Sequence, residues 1–184
     1  MENNVLNEIE IKKPQALFPV VLKYSIIFSF VIILYNVVLY AFNLNENKFL
    51  GWFVYVFFIA AMIIGSNKFK NENCDGYLSY GKSFLSSFLI GLFISIVISV
   101  WTYIFMEFID KELVAKILEK AEESMLERNP NMSQNEINMG MKYVKMFTSP
   151  VMMSVMSLIT NIIMSVIFAL ITAIFIKKEE PSIY

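Results

Sequence analysis

The chain contains no histidine and one cysteine, and Asp, Glu, Lys and Arg together make up only 17 % of its 184 residues. Without histidine it lacks the commonest general base, the commonest metal ligand and the usual partner of a nucleophilic Ser or Cys. Most hydrolase chemistry is excluded with it, so the expectation is a non-enzymatic protein that carries no cofactor and no metal. Cys74 stands alone, which rules out an intramolecular disulfide and a zinc site built from several cysteines. A net charge of −1 and the lack of a Lys/Arg cluster give nucleic acid nothing to bind.

Charge is also absent by region. Four stretches, 24–45, 49–67, 83–106 and 146–176, hold no Asp, Glu, Lys or Arg at all, in a chain that is 57 % hydrophobic. Each meets the ~18-residue minimum for a helix crossing the ~30 Å hydrocarbon core. Apolar residues occupy every face of each stretch, whereas a transmembrane β-strand would alternate apolar with polar over ~10 residues. The expected fold is all-α, a polytopic membrane protein with spans at about 20–42, 49–66, 83–106 and 150–176 inside a domain of 18–178. The first stretch is not read as a cleaved signal: it begins late, after Lys23, is too long, and no Ala-x-Ala-like site follows Phe42.

The remaining segments are polar. Residues 1–17 form a tail of mixed charge in which Pro14 marks the approach to the membrane, and 179–184 form a short second tail. The connection 43–48 is tight enough to make the first two spans an antiparallel hairpin, and 67–82 is a longer polar connection. Trp52, Tyr55, Trp101 and Tyr103 suit the water interface. The sizeable extramembrane element is the loop 107–146. Within it Leu113, Val114, Ile117, Leu118, Ala121, Met125 and Leu126 recur at helical spacing, and Glu112 precedes Lys116 by one favourable i,i+4 step. This amphipathic helix stops at Asn129 and Pro130. Ser133 with Glu136 three residues on then forms a capping box for a second helix running through Met139, Tyr143 and Val144.

With the N-terminus cytoplasmic, Lys12, Lys13, Lys23, Lys68, Lys70, Lys82, Lys177 and Lys178 lie inside, a narrow majority of the 15 basic residues. The short inner loop is richer in lysine than the short outer one, which favours both termini inside.

Two stripes of small residues recur every fourth position: Ser83, Ser87, Gly91, Ser95 and Ser99 in the third span, and Ser157, Asn161, Ser165, Ala169 and Ala173 in the fourth. Lipid offers no hydrophobic drive for helices to associate, so close packing and interhelical hydrogen bonds must supply it. The third and fourth spans are expected to meet along these stripes. The same hydroxyls could instead line a polar path for a small solute. Asn36 and Asn161 are the strongest polar groups at membrane depth, each able to bond across helices at ~0.6 kcal/mol. No ionisable residue lies within the spans, which argues against a proton-driven transporter while leaving a passive pore open.

Residues 76–83 satisfy the phosphate-loop pattern G-x-x-x-x-G-K-S, but the segment before them is polar rather than a buried strand, so no nucleotide is expected. Gly76 and Gly81 are read instead as shaping a turn, with Tyr77 and Tyr80 at headgroup level and Lys82 snorkelling beside the start of a helix. The amphipathic loop has two readings, a helix lying on the bilayer or one docking on a partner or a second copy. Its polar face is poor in Lys and Arg, which favours docking. Its many methionines, Met125, Met132, Met139, Met141 and Met146 among them, suit a surface that accepts varied partners or serve as packing filler.

Four spans, the run Gly76, Tyr77, Leu78, Ser79, Tyr80, Gly81 before the third, Glu107 to Asp110 at its exit, and a Glu/Met-rich loop leading to Ser149 and Pro150 resemble the DUF4199 proteins of Bacteroidetes-type bacteria. The resemblance covers 17–178. It implies a bacterial inner membrane and a family without assigned activity, so no catalytic residue carries over. In that family the position of Lys82 is often Gln, which further weakens the phosphate-loop reading. The leading functional expectation is assembly or interaction through the 107–146 loop, with a homo-oligomer or another membrane protein as partner; the alternative is a small passive transporter or pore formed as an oligomer.

Overall fold

The computed structural model describes residues 16–45 and 47–180. The two tails read from the sequence therefore lie outside the described residues, except for 16–17 and 179–180. Six α-helices follow in order: α1 (Leu17–Ala41), α2 (Lys48–Asn73), α3 (Tyr80–Ile104), α4 (Glu112–Arg128), α5 (Gln134–Phe147) and α6 (Pro150–Ile176). A single π-helical turn, Phe105–Ile109, continues α3. Four helices, α1, α2, α3 with its π-turn, and α6, are long and apolar enough to cross a membrane. The shortest of these, 25 residues, would extend about 37 Å at 1.5 Å per residue, more than the hydrocarbon core needs.

Local chemistry accounts for the helix ends. Asn43 adopts a left-handed conformation, φ 54°, and the Leu44 N–H closes back on the Leu39 carbonyl at 2.8 Å, which stops α1. Asn47 then caps α2, its side chain accepting from the N–H groups of Phe49 and Leu50. The second span was expected to end near residue 66, yet α2 continues for almost two more turns to Asn73. The end of an apolar run marks the membrane boundary rather than the helix boundary. Residues 67–73 keep the backbone ladder, and the Lys68–Glu72 ion pair at 2.7 Å supports it at i,i+4 spacing. The polar connection correspondingly shrinks. Asp75 and Gly76 take positive φ, 48° and 81°, to reverse the chain, and Ser79, extended at ψ 158°, lets α3 begin three residues before the expected Ser83.

α3 is the central element, packed against α1, α2 and most extensively α6. The core comprises Val21 and Ile32 of α1, Phe58, Ala61 and Met62 of α2, and Ile90, Ile94 and Ile98 of α3. At most 33 % of the most apolar stretch of any span is buried inside the protein. Phe30, Phe49, Phe175 and many other large apolar side chains face outward, which a bilayer accommodates and water does not. α4 and α5 stand apart at the end of the bundle where α1 and α3 finish. The start of α5 follows its sequence signal: Ser133 caps it, the Ser133 backbone N–H donates to the Glu136 carboxylate at 2.8 Å, and the Glu136 N–H donates back to the Ser133 hydroxyl. The Ser133 hydroxyl, which donates to the same carboxylate at 2.7 Å, holds the Glu136 carboxyl below the usual carboxylate range, and the Ser133 backbone N–H adds to the effect.

Candidate functional site

The small-residue stripe of α3 lies wholly inside the bundle: Ser83, Ser87, Gly91, Ser95 and Ser99 are all buried, as are Ser165, Ala169 and Ala173 of α6. Ser157 and Asn161 sit at the partly exposed end of the α6 stripe. Ser95 and Ser165 touch across the two helices at 3.2 Å, while each donates to a carbonyl one turn back in its own helix, Gly91 and Asn161 respectively, at 2.7 Å. The Ser99 hydroxyl donates to the Ser154 carbonyl of α6 at 2.8 Å. Further contacts came with no sequence signal of their own. The Ser66 hydroxyl of α2 lies 3.0 Å from that of Ser87 and 2.9 Å from that of Ser86, and Ser25 of α1 donates to the Ile90 carbonyl at 3.1 Å. These hydroxyls bond to protein, and none of Ser66, Ser86, Ser87, Ser95 and Ser165 has any exposed surface.

Asn36 and Asn161 do not bond across helices. The Asn36 amide donates to the Ile32 carbonyl at 2.8 Å and the Asn161 amide to the Ser157 hydroxyl at 3.2 Å, in each case one turn back in the same helix. A neighbouring acceptor at i−4 is already in place without ordering any second helix, and it wins.

The turn leading into α3 is a structural clasp. Leu78, 2 % exposed, forms an isolated antiparallel bridge with Lys178, its N–H donating to the Lys178 carbonyl at 2.7 Å. The Lys178 ammonium sits 5.2 Å from the centre of the Tyr77 ring, and the Tyr80 hydroxyl donates to the Leu170 carbonyl of α6. Gly81 opens onto empty space. A helix precedes this turn, Lys82 is exposed, and the Ser83 hydroxyl that a phosphate loop would turn to magnesium is fully buried. Nearby Cys74 closes α2; burial pushes its thiol up, with Lys82 opposing the shift and Asp75 adding to it. Among the described residues no three His, Cys, Asp or Glu come together as metal ligands would.

At the opposite end two adjoining cavities open beneath α4. The inner one, about 260 Å³, is walled by apolar and aromatic side chains including Leu39, Ile98, Trp101, Phe105 and Met153, with Asn36 and Thr102 as polar points. The outer one, about 410 Å³, is lined by Asn43, Asp110, Lys116 and Lys120, and shares Tyr40, Asn45 and Leu113 with the inner. The sequence offered no pattern for this cleft, because its residues come from five helices and two connections.

A four-span helical bundle with a buried hydroxyl seam and a small two-helix arm at one end defines a polytopic membrane protein. Comparison with protein families makes the assignment specific. The chain belongs to DUF4199, a family described as proteins of unknown function, whose model matches residues 23–178. Comparison with curated proteins and with solved structures gives no match.

Proposed function

We propose that this chain is a non-enzymatic protein of a bacterial inner membrane, with both termini cytoplasmic, and that it works in assembly, the arm of α4 and α5 docking a second membrane protein or another copy of the chain. The observation that carries this reading is how little of the arm is covered by the rest of the chain among the described residues. α4 has no buried residue and α5 has one, Ile137. Met139, Tyr143, Met146 and Phe147 fall on one side of α5 at helical spacing and are 49 to 65 % exposed. The two helices meet each other, Met125 lying close against Gly140, but hold on to the bundle mainly through α6. An amphipathic helix presenting such a row is suited to a hydrophobic groove on a partner.

A photoreactive residue in place of Tyr143, activated in native membranes, tests the reading. Crosslinked adducts to protein are expected. Recovery of bare monomer, or of lipid adducts alone, overturns it and leaves the arm as a membrane-surface element. The alternative of an oligomeric pore with Ser87, Ser95, Asn161 and Ser165 facing water draws less support, because three of these four are sealed between helices.

A further inference from the structure

The cleft beneath α4 changes chemical character along its depth. Its inner chamber lies between the last turns of α1 and α3, near the end of the uncharged run 83–106, and its walls are mostly aromatic and aliphatic. Tyr40 meets Phe105 edge-on at 5.1 Å, and Trp101 lies 6.0 Å from the same ring, which makes one side of the chamber a stiff aromatic wall. Apolar cavities of only ~150 Å³ stay dry and take up hydrocarbon guests, and this chamber is larger. The outer chamber is polar and carries both signs of charge, Asp110 on one element and Lys116 and Lys120 on another, Lys116 being held by Glu112 in an exposed i,i+4 pair at 3.7 Å that a phosphate would have to displace.

Two features of the wall are costly to the fold on its own. Phe105 and Met106 belong to the π-helical turn, a conformation of poor intrinsic stability that concentrates at functional sites. Asp110 ends that turn, its N–H bonded to the Phe105 carbonyl at 2.8 Å, and the residue is only 5 % exposed while lining the outer chamber. A carboxylate so withdrawn from water gains from a cation brought to it. The π-turn is what sets Asp110 there: one extra residue in the last turn rotates the positions that follow.

We propose that the cleft is a binding site for a zwitterionic amphiphile, its hydrocarbon chain in the inner chamber and its ammonium and phosphate in the outer one, the ammonium against Asp110 and the phosphate against Lys116 and Lys120. A purely anionic head would meet the buried carboxylate, and a purely cationic one the two lysines; a head of both signs matches each. The site rests on the cleft alone and stands or falls independently of any docking by α5.

The test uses the full chain in detergent with Trp52→Phe, which leaves Trp101 in the chamber wall as the fluorophore. Phosphatidylethanolamine with a brominated chain is titrated in, alongside brominated phosphatidylglycerol and chainless phosphoethanolamine. Saturable quenching is expected with the zwitterionic lipid, with weaker binding of the anionic lipid and of the free headgroup. Asp110→Asn and the pair Lys116→Gln with Lys120→Gln should each weaken it by on the order of tenfold, the scale of one charged hydrogen bond. Gly51→Leu provides a separate block, because Gly51 lines the inner chamber and a Cβ there meets nothing within 4 Å. It should abolish quenching while leaving the thermal melt unchanged. Quenching that is equal for both lipids, or insensitive to Gly51→Leu, overturns the proposal. Binding of chainless phosphoethanolamine as tight as that of the lipid overturns the amphiphile and assigns the outer chamber to a free phosphate ester.

Discussion

Gly91 shows what a missing side chain accomplishes between two membrane helices. A Cβ there would lie 2.9 Å from Ser165 Cβ and 2.7 Å from its hydroxyl, and would run into the tip of Met62. Met62 can swing away, but Ser165 Cβ is fixed to the α6 backbone, so the helices themselves would have to part. Gly91→Ala is expected to cost about 1–3 kcal/mol, the usual range for overpacking, read as a lower melting temperature in detergent. Gly81→Ala meets nothing within 4 Å and should be neutral or slightly stabilising through helix propensity; equal losses at both positions would mean that the α3–α6 contact is not set at Gly91. The four-residue spacing made this stripe readable in the sequence. Ser66 escaped because it completes no stripe of its own and acquires its partners, Ser86 and Ser87, from a helix elsewhere in the chain. The two asparagines misled for the opposite reason. Their polarity drew attention to the space between helices, while the bonds they make are local.

Among the helices, α5 illustrates how far local signals reach. Ser133 and Glu136, three apart, are enough to set its start, and the reciprocal bonds are present in the structure. Because those bonds lower the folded-state pKa of Glu136 relative to the unfolded chain, their support is fully present above the ordinary carboxylate range and is lost as pH falls through the lowered value. Protection of the first-turn amides of α5, measured against the intrinsic exchange rate at each pH, should therefore fall on acidification while that of α3 and α6 is kept. Ser133→Ala should bring the same fraying at neutral pH and remove most of its pH dependence; an α5 that exchanges identically in both proteins would deny the cap any role. The extent of α2 and the π-turn after α3 were less legible. Hydropathy reports where lipid ends, so the polar last turns of α2 read as loop, and no residue pattern distinguishes five π-helical residues from the α-helix they continue. That turn is also what shapes the cleft, which is why its walls were invisible before the chain was folded.

Across the whole molecule, the far end of the chain is secured by residues from its middle. Lys70, in the last turn of α2, donates to the Ile176 carbonyl at 3.1 Å, satisfying one of the acceptors that every helix leaves open at its C-terminus. Two residues further on, Lys178 pairs with Leu78 through both backbone bonds. α6 is thereby tied to α2 and to the turn before α3 at one end, while Ser99 and Ser154 hold it to α3 towards the other. The number and order of the spans could be read from four uncharged runs, because transfer from water to lipid depends on composition alone. This lacing could not, since it joins positions separated by about a hundred residues and its acceptors are backbone carbonyls that every residue possesses. Lys70→Met keeps the length of the side chain and removes the donor. It should cost about 1.5–3 kcal/mol, the range for a charged hydrogen bond, with the loss concentrated at the end of α6: protease should cut near Lys177 and Lys178 sooner than in the parent chain, while a site in the α4–α5 connection is cut at the same rate. Acceleration at both sites would point instead to general loosening of the bundle, and none at either would mean that the Leu78 bridge holds α6 without help from Lys70.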